Sequence, residues 1–238
     1  MTSFMCYQEQ LSPDETETLL LDIREQEEKV VSFYAVGHIT VKGWMWESDA
    51  RIFIAGIKDP FSLKIEITHM WGRPILHLLI RDGKLEVLSF DEQKIYLGRF
   101  TPEALSRFLP GVMADQDLIW SVLRAYPYLI NGFHIGDPGP GQINLFNPRE
   151  EERIELDMET LLVKTVSFPG RGIHLDFSNI REHDNIAYAV EVRMRHDHEK
   201  KTLIIRNEKM VFNADIPDPI FTIKRLDSFK MVYLDEEE

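Results

Sequence analysis

Between residues 30 and 100 the chain is an almost unbroken meander of short β-runs, each about one strand long and each closed by a polar, Gly or Pro turn. Strands joined by tight turns pair antiparallel, so this stretch has to build one continuous sheet. Leu63, Ile65 and Ile67 alternate with Lys64, Glu66 and Thr68, the period-two pattern of a strand with one buried face. Asp82-Gly83 is a two-residue hairpin signal. The same reading places strands at 30–41, 51–57, 63–68, 75–80, 85–90 and 94–97, with Trp44-Met45-Trp46 as an extended ribbon before a polar turn.

Helical signals flank the meander. Ser12-Pro13-Asp14-Glu15 is a helix start with a capping box and proline in the first turn, and Leu19, Leu20, Ile23 and Val30 form a rough stripe over 13–29. Thr101-Pro102-Glu103 opens a short helix with Ala104, Leu105 and Phe108. A second piece over 117–125 carries Leu118, Trp120, Val122 and Leu123, and Tyr126-Pro127 stops it. Strands resume at 142–146, 153–156, 161–168, 173–177, 187–194 and 202–206, with a last one at 220–224. The order predicts an α+β fold: a single strongly curved antiparallel sheet of about 11 strands, an unclosed half-barrel, with helices covering the concave face. No boundary divides the chain, so residues 1–238 read as one domain, with 1–11 as a flexible N-terminal segment. Such a shape encloses an apolar cavity and points to a hydrophobic ligand more than to catalysis.

Of the 238 residues, 44% are hydrophobic, enough for a sizeable core, and the formal net charge is −13. A field of that sign repels phosphate backbones and anionic lipid surfaces, so nucleic acid is not an expected partner. Any meeting with a membrane requires a local apolar element. The single cysteine, Cys6, excludes an intramolecular disulfide and a Cys-based zinc site. The first six residues lack a basic segment followed by an apolar one, which leaves two readings open: a cytosolic protein, or one whose signal peptide is absent from this sequence.

Catalytic signatures are missing. There is no G-x-S-x-G elbow and no phosphate loop, and Asp137-Pro138-Gly139-Pro140-Gly141 is a loop with no helix after it. His196-Asp197-His198 and His183-Asp184 hold ligand-type groups, but Arg195, Glu199, Lys200 and Lys201 around the first cluster read as a solvated hairpin turn, so no metal is expected. Cys6 has no base near it in sequence. Trp71 is harder to explain as core: it sits with Met70 in a turn between two well-patterned strands, beside Gly72 and Pro74, where turn tips meet solvent.

The stretch 30–127 resembles the outer-membrane lipoprotein receptor and carrier proteins of Gram-negative bacteria, the LolB/LolA superfamily, the receptor more closely. The resemblance rests on the N-terminal helix and the small-residue strand Tyr34-Ala35-Val36-Gly37-His38-Ile39. It continues through the two-strand unit from Ile65 to Pro74 with its short apolar loop, and the hairpin at Asp82-Gly83. It ends with Leu118-Ile119-Trp120-Ser121-Val122-Leu123 running into Tyr126-Pro127. The match is looser over 187–206, whose paired strands resemble those closing the family's sheet. These are patterns of apolar and turn residues of moderate specificity, not a catalytic signature.

The resemblance implies a non-enzymatic protein without cofactor that binds lipid or lipoprotein acyl chains and takes part in lipoprotein localisation to the outer membrane, as a chaperone-like transport component. It implies a cavity lined by Phe53, Leu63, Ile65, Leu76, Leu78, Leu105, Phe108, Leu118 and Trp120, and a membrane-facing loop at Met70-Trp71. The expected partners are acyl chains, a periplasmic lipoprotein carrier and the outer-membrane surface. The expected location is the periplasm, or the outer membrane facing it, with Cys6 as a lipidation site. The sequence departs from the family where Met5 stands before Cys6 in place of a small residue, and in extra length near 130–153 and at the C-terminus. Two alternatives stand beside this reading: a structural or scaffold envelope protein of the same fold with no transferable ligand, and a hydrolase acting on an acyl substrate.

Overall fold

The computed structural model describes residues 13–43, 47–109, 115–127, 133–135, 142–148, 151–157, 160 and 162–234. Cys6, the Ser12 cap, the ribbon 44–46 and the loop 137–141 lie outside the described residues.

Helix α1 (Pro13–Glu28) leads into a meander of six strands: β1 (Ser32–Lys42), β2 (Glu47–Ile57), β3 (Ser62–Thr68), β4 (Pro74–Arg81), β5 (Lys84–Ser89) and β6 (Lys94–Arg99). Helices α2 (Pro102–Ser106) and α3 (Gln116–Arg124) interrupt the strands. Seven more follow: β7 (His134–Ile135), β8 (Gln142–Asn147), β9 (Glu152–Asp157), β10 (Val163–Phe168), β11 (Ile173–His183), β12 (Ile186–His196) and β13 (Lys201–Phe212). The final strand is β14 (Lys230–Tyr233).

All fourteen strands described form one unclosed sheet in the order β14-β6-β5-β4-β3-β2-β1-β13-β12-β11-β10-β9-β8-β7. Every pairing is antiparallel except β14 on β6. The two meanders meet where β1 pairs with β13. There Gly37 lies at a register shift, and a Cβ on it would overlap the Arg206 carbonyl, so a larger side chain would part the ladder. Asp82 and Gly83 both take positive φ, 53° and 69°, as a two-residue hairpin turn with left-handed central residues requires.

The period-two alternation sorts residues onto two faces. Leu63, Ile65, Leu76, Leu78 and Ile80 point to the concave side, where they join Leu19 and Ile23 of α1, Leu105 of α2 and Leu118, Ile119 and Trp120 of α3 in one apolar cluster. That cluster also takes in Leu145, Ile154, Val166, Leu175, Val192 and Met194, so a single core spans both meanders. On the opposite face a smaller cluster of Ala55, Leu79, Ile216 and Phe221 lies under the segment that follows β13.

That segment corrects the expectation of a strand at 220–224. Asp218–Phe221 is a 3₁₀ turn, and the chain runs over the convex face, held by Arg81–Asp218 at 2.7 Å and Arg225–Glu86 at 3.0 Å. The apolar spacing of Ile220, Phe221 and Ile223 reflects contact with that face, not a ladder. Fourteen strands stand against the expected eleven or so; among them β7 and β14, of two and four residues, are too short to carry a period.

The helices are fixed by a buried arginine. Arg124, the last residue of α3, is fully buried. Its guanidinium donates to the Ala187 carbonyl of β12 at 3.0 Å and to the Gln26 carbonyl of α1 at 2.8 Å, and lies over the Tyr126 ring at 4.4 Å. Burial lowers its pKa to about 10. Beside it Ala125 adopts a left-handed C-cap, φ 61° and ψ 40°, and accepts the Ala189 amide at 2.8 Å. Glu27 of α1 takes both of its oxygens to Lys58 Nζ at 2.8 Å.

Truncating Arg124→Ala strands two carbonyls and opens a cavity; it is expected to lower unfolding free energy by about 3–5 kcal/mol. Arg124→Lys, which cannot span both carbonyls, is expected to lose about 1.5–3 kcal/mol. Urea unfolding followed by far-UV circular dichroism reads both, and an unchanged midpoint for Arg124→Ala would refute the tie.

Candidate functional site

The site begins with the concave apolar surface. Register sets Ile65 opposite Leu78, Ile67 opposite Leu76 and Leu63 opposite Ile80, so the inward side chains of β3 and β4 form a continuous layer. Above it α2 contributes Leu105, and the turn after it contributes the half-buried Phe108, whose ring packs on Tyr96 at 4.9 Å. Helix α3 contributes Leu118 and Trp120. Eight of the nine residues expected to line a cavity thus share one cluster. Phe53 does not: strand parity turns it to the convex face, where it packs with Ile57 and Tyr34 beneath the C-terminal segment. Its neighbours Ile52 and Ile54 are the inward residues of β2.

Trp120 shows how the cover is seated. Its ring meets Phe33 edge-on at 5.1 Å and Phe61 at 6.4 Å. Gly56 leaves the space: a Cβ there would stand 2.9 Å from Phe33 Cε1 and 3.1 Å from Trp120 Cζ3. The indole Nε1 is buried and hydrogen-bonded to nothing among the described residues.

Helix α3 lies along β12. Its C-terminal end is bonded at Ala187 and Ala189; its N-cap, Asp115, stands near His196 at the other end of the strand. Asp115 caps the helix by accepting the Leu118 amide at 2.9 Å and pairs with Arg171 at 3.1 Å. A cavity of about 670 Å³ opens between Pro102 and Asp115 on the helical side and Arg171, Ile173 and the β12–β13 turn on the sheet side.

That turn was read from sequence as solvated. Residues 197–200 do form the turn, and His174 pairs with Asp197 at 3.0 Å on the surface. His196, however, is the last residue of β12, directly opposite Ile173 and only 6% exposed. The alternation Val192, Met194, His196 carried that signal; the charged neighbours hid it. His183 and Asp184 sit 3.5 Å apart at the exposed β11–β12 turn, and no cluster among the described residues could hold a metal ion.

The second sequence-derived feature is the β3–β4 tip. Backbone bonds from His69 N to Arg73 O and from Gly72 N to His69 O, both 2.8 Å, close it, with Gly72 at φ 89°. Met70 is 48% exposed and Trp71 77%. The Trp71 ring stacks on His69, with centroids 4.5 Å apart and planes 4° from parallel. The indole lies against His69 on one side, with its outer face uncovered. No helix among the described residues is long and apolar enough to cross a membrane.

Gly56→Val is expected to cost about 1–3 kcal/mol by driving Phe33 and Trp120 apart. A red-shifted tryptophan emission with a lowered melting temperature would register it; an unchanged melting temperature would mean α3 is not seated at Gly56.

No protein-family model matches the sequence, and no curated protein does. Solved structures do. A DUF1329 family protein from Desulfovibrio piger superposes with a TM-score of 0.58 at 15% identity, covering 86% of this chain and 95% of its own. A LolA superfamily protein from Nitrosomonas europaea gives 0.57 at 15% identity, covering 87% and 97%. A domain described as an outer membrane lipoprotein-sorting protein, from Vibrio parahaemolyticus, gives 0.50 at 12% identity, covering 86% and 94%. At these identities the likeness is one of fold: this chain has the LolA-like fold, an unclosed antiparallel half-barrel with helices laid on its concave face.

Proposed function

We propose that this chain is a non-enzymatic binding protein for lipid or lipoprotein acyl chains, working at the bacterial envelope in lipoprotein localisation. The observation that carries the reading is the cavity of about 670 Å³ at the Asp115 end of α3, which has Ile173 of the apolar core in its wall although none of the nine expected lining residues borders it. A tail entering there would exchange water for apolar surface at about 0.8 kcal/mol per buried methylene, enough for firm but reversible holding. The fold shared with LolA superfamily and lipoprotein-sorting structures supports the same class of ligand. On this reading the protein resides in the periplasm or at the outer membrane facing it, and receives cargo from a lipoprotein carrier; Cys6 is the residue that lipidation would use.

The tip at Met70-Trp71 is the second part of the proposal. An exposed indole beside a methionine is suited to the apolar edge of a bilayer, and a chain of net charge −13 has no general attraction to an anionic surface. Trp71→Glu is expected to change stability by less than about 0.5 kcal/mol, because the ring covers nothing in the core. The same variant should lose co-sedimentation with phosphatidylethanolamine vesicles while retaining acyl-chain binding. Vesicle association equal to the parent's would end the role given to the tip.

One observation favours the scaffold reading: Trp120 fills the hollow at Gly56 with the protein's own side chain. Native mass spectrometry and solvent extraction of purified protein separate the two. Acyl lipid released in near-stoichiometric amount is expected; its absence, together with no uptake of an apolar fluorophore, would favour the scaffold.

A further inference from the structure

We infer that His196 is a ligand-binding residue: at the rim cavity its Nε2–H grips the oxygen at the polar end of an acyl chain. The inference rests on the lipid-binding reading above and assigns to it a polar anchor.

Three observations meet at this residue. Register places His196 on the concave face, in line with Val192 and Met194 of β12 and directly opposite Ile173 of β11. The side chain is 94% removed from solvent, as its 6% exposure states, yet it lines a cavity of about 670 Å³, within the range of about 300–1,000 Å³ usual for small-molecule sites. Its Nδ1 accepts the Glu199 backbone amide at 3.1 Å, while among the described residues nothing hydrogen-bonds its Nε2. A neutral imidazole whose Nδ1 is an acceptor carries its proton on Nε2. The hairpin turn therefore fixes both ring orientation and tautomer, and leaves one donor directed away from the turn.

A donor with no protein partner, on a side chain mostly withdrawn from bulk solvent at a cavity wall, is placed to meet an acceptor that enters the cavity. The charges around the cavity are already matched: Asp115 pairs with Arg171 at 3.1 Å, and Glu199 with Lys201 at 2.8 Å. No net cationic cradle is left for a phosphate. What remain are the imidazoles of the exposed His198 and the buried His196, and of the two only His196 is held by the turn amide; its donor beside apolar surface such as Ile173 is the complement of a carboxyl or ester oxygen with a hydrocarbon tail. Free fatty acid and ester-linked chain share that chemistry.

The test compares three probes on the parent, His196→Phe and His196→Gln: palmitic acid, 1-palmitoylglycerol, and N-phenyl-1-naphthylamine, which has no acyl oxygen. His196→Phe is expected to weaken one or both palmitoyl probes about five- to tenfold and to leave the naphthylamine within about twofold; His196→Gln, which restores an N–H donor, should recover part of the loss. The probe that loses more identifies the acyl source. Unchanged palmitoyl affinity in His196→Phe would overturn the inference while leaving the lipid-binding reading intact. An equal loss of all three probes would assign His196 to the fold and also overturn it. A parent that binds none of them would overturn both.

Discussion

One buried cation organises the helical cover. Arg124 brings a charge into a fully buried place, and that burial lowers its pKa to about 10. The compensation is geometric. A guanidinium has donors in a rigid fork, and here two of them reach carbonyls on different elements, Gln26 at the end of α1 and Ala187 at the start of β12. A helix C-terminus has orphan carbonyls to offer, so the Gln26 bond also satisfies a group that α1 could not satisfy itself. Aromatic faces of Tyr126 and Phe212, 4.4 and 5.8 Å from the guanidinium carbon, complete the shell. Two helices far apart in sequence are thereby fixed to the same strand.

That anchorage explains an asymmetry in the cover. Helix α3 has nine residues and is buried from Leu118 onward, whereas Gln116 and Asp117 near its start are exposed. The end near Arg124 is bonded to β12 twice, by one guanidinium N–H to the Ala187 carbonyl and by the Ala189 amide to the Ala125 carbonyl, and to α1 by a second guanidinium N–H. The end near Asp115 is joined to the sheet side by a surface ion pair with Arg171, worth little in water. Elements with few strong contacts open at lower free energy than those with many. The two ends of the helix thus differ in how they are bonded, and the end at Asp115 borders the cavity at His196.

Much of this was legible in the sequence because the sheet is built from local rules. Period-two alternation at Leu63, Ile65 and Ile67, the Asp82-Gly83 turn and the break at Tyr126-Pro127 each act within a few residues, and each matches the structure. The change of period marked the two helical pieces that carry Leu105 and Trp120. Phe53 shows the limit. In a nearly continuous apolar run such as 51–57, both faces of a strand are covered, so hydrophobicity cannot tell which parity points inward. What covers the second face is a segment more than 150 residues later, a fact no local pattern contains. Arg124 was invisible for the same reason: its partners lie 98 and 63 residues away. His196 was masked by its charged neighbours, because composition averages over a window and burial alternates within it.

The C-terminal segment does more than fill the convex side. Leaving β13 at the middle of the sheet, it crosses behind the first meander and returns as β14 on the outer edge of β6. The parallel pairing is possible only because a long connection carries the chain back to the same end. Two consequences follow from one path. The apolar residues Ala55 and Leu79 lose their access to solvent, so the part of the sheet built by β1 to β6 has one working face, the concave one. The edge of β6 is also occupied by a strand whose outward residues include Met231 and Tyr233, flanked by Lys230, a short and charged terminus of the kind that discourages further strand addition. An open half-barrel has two edges and two faces exposed to chance association; residues 213–234 cover one of each in this meander.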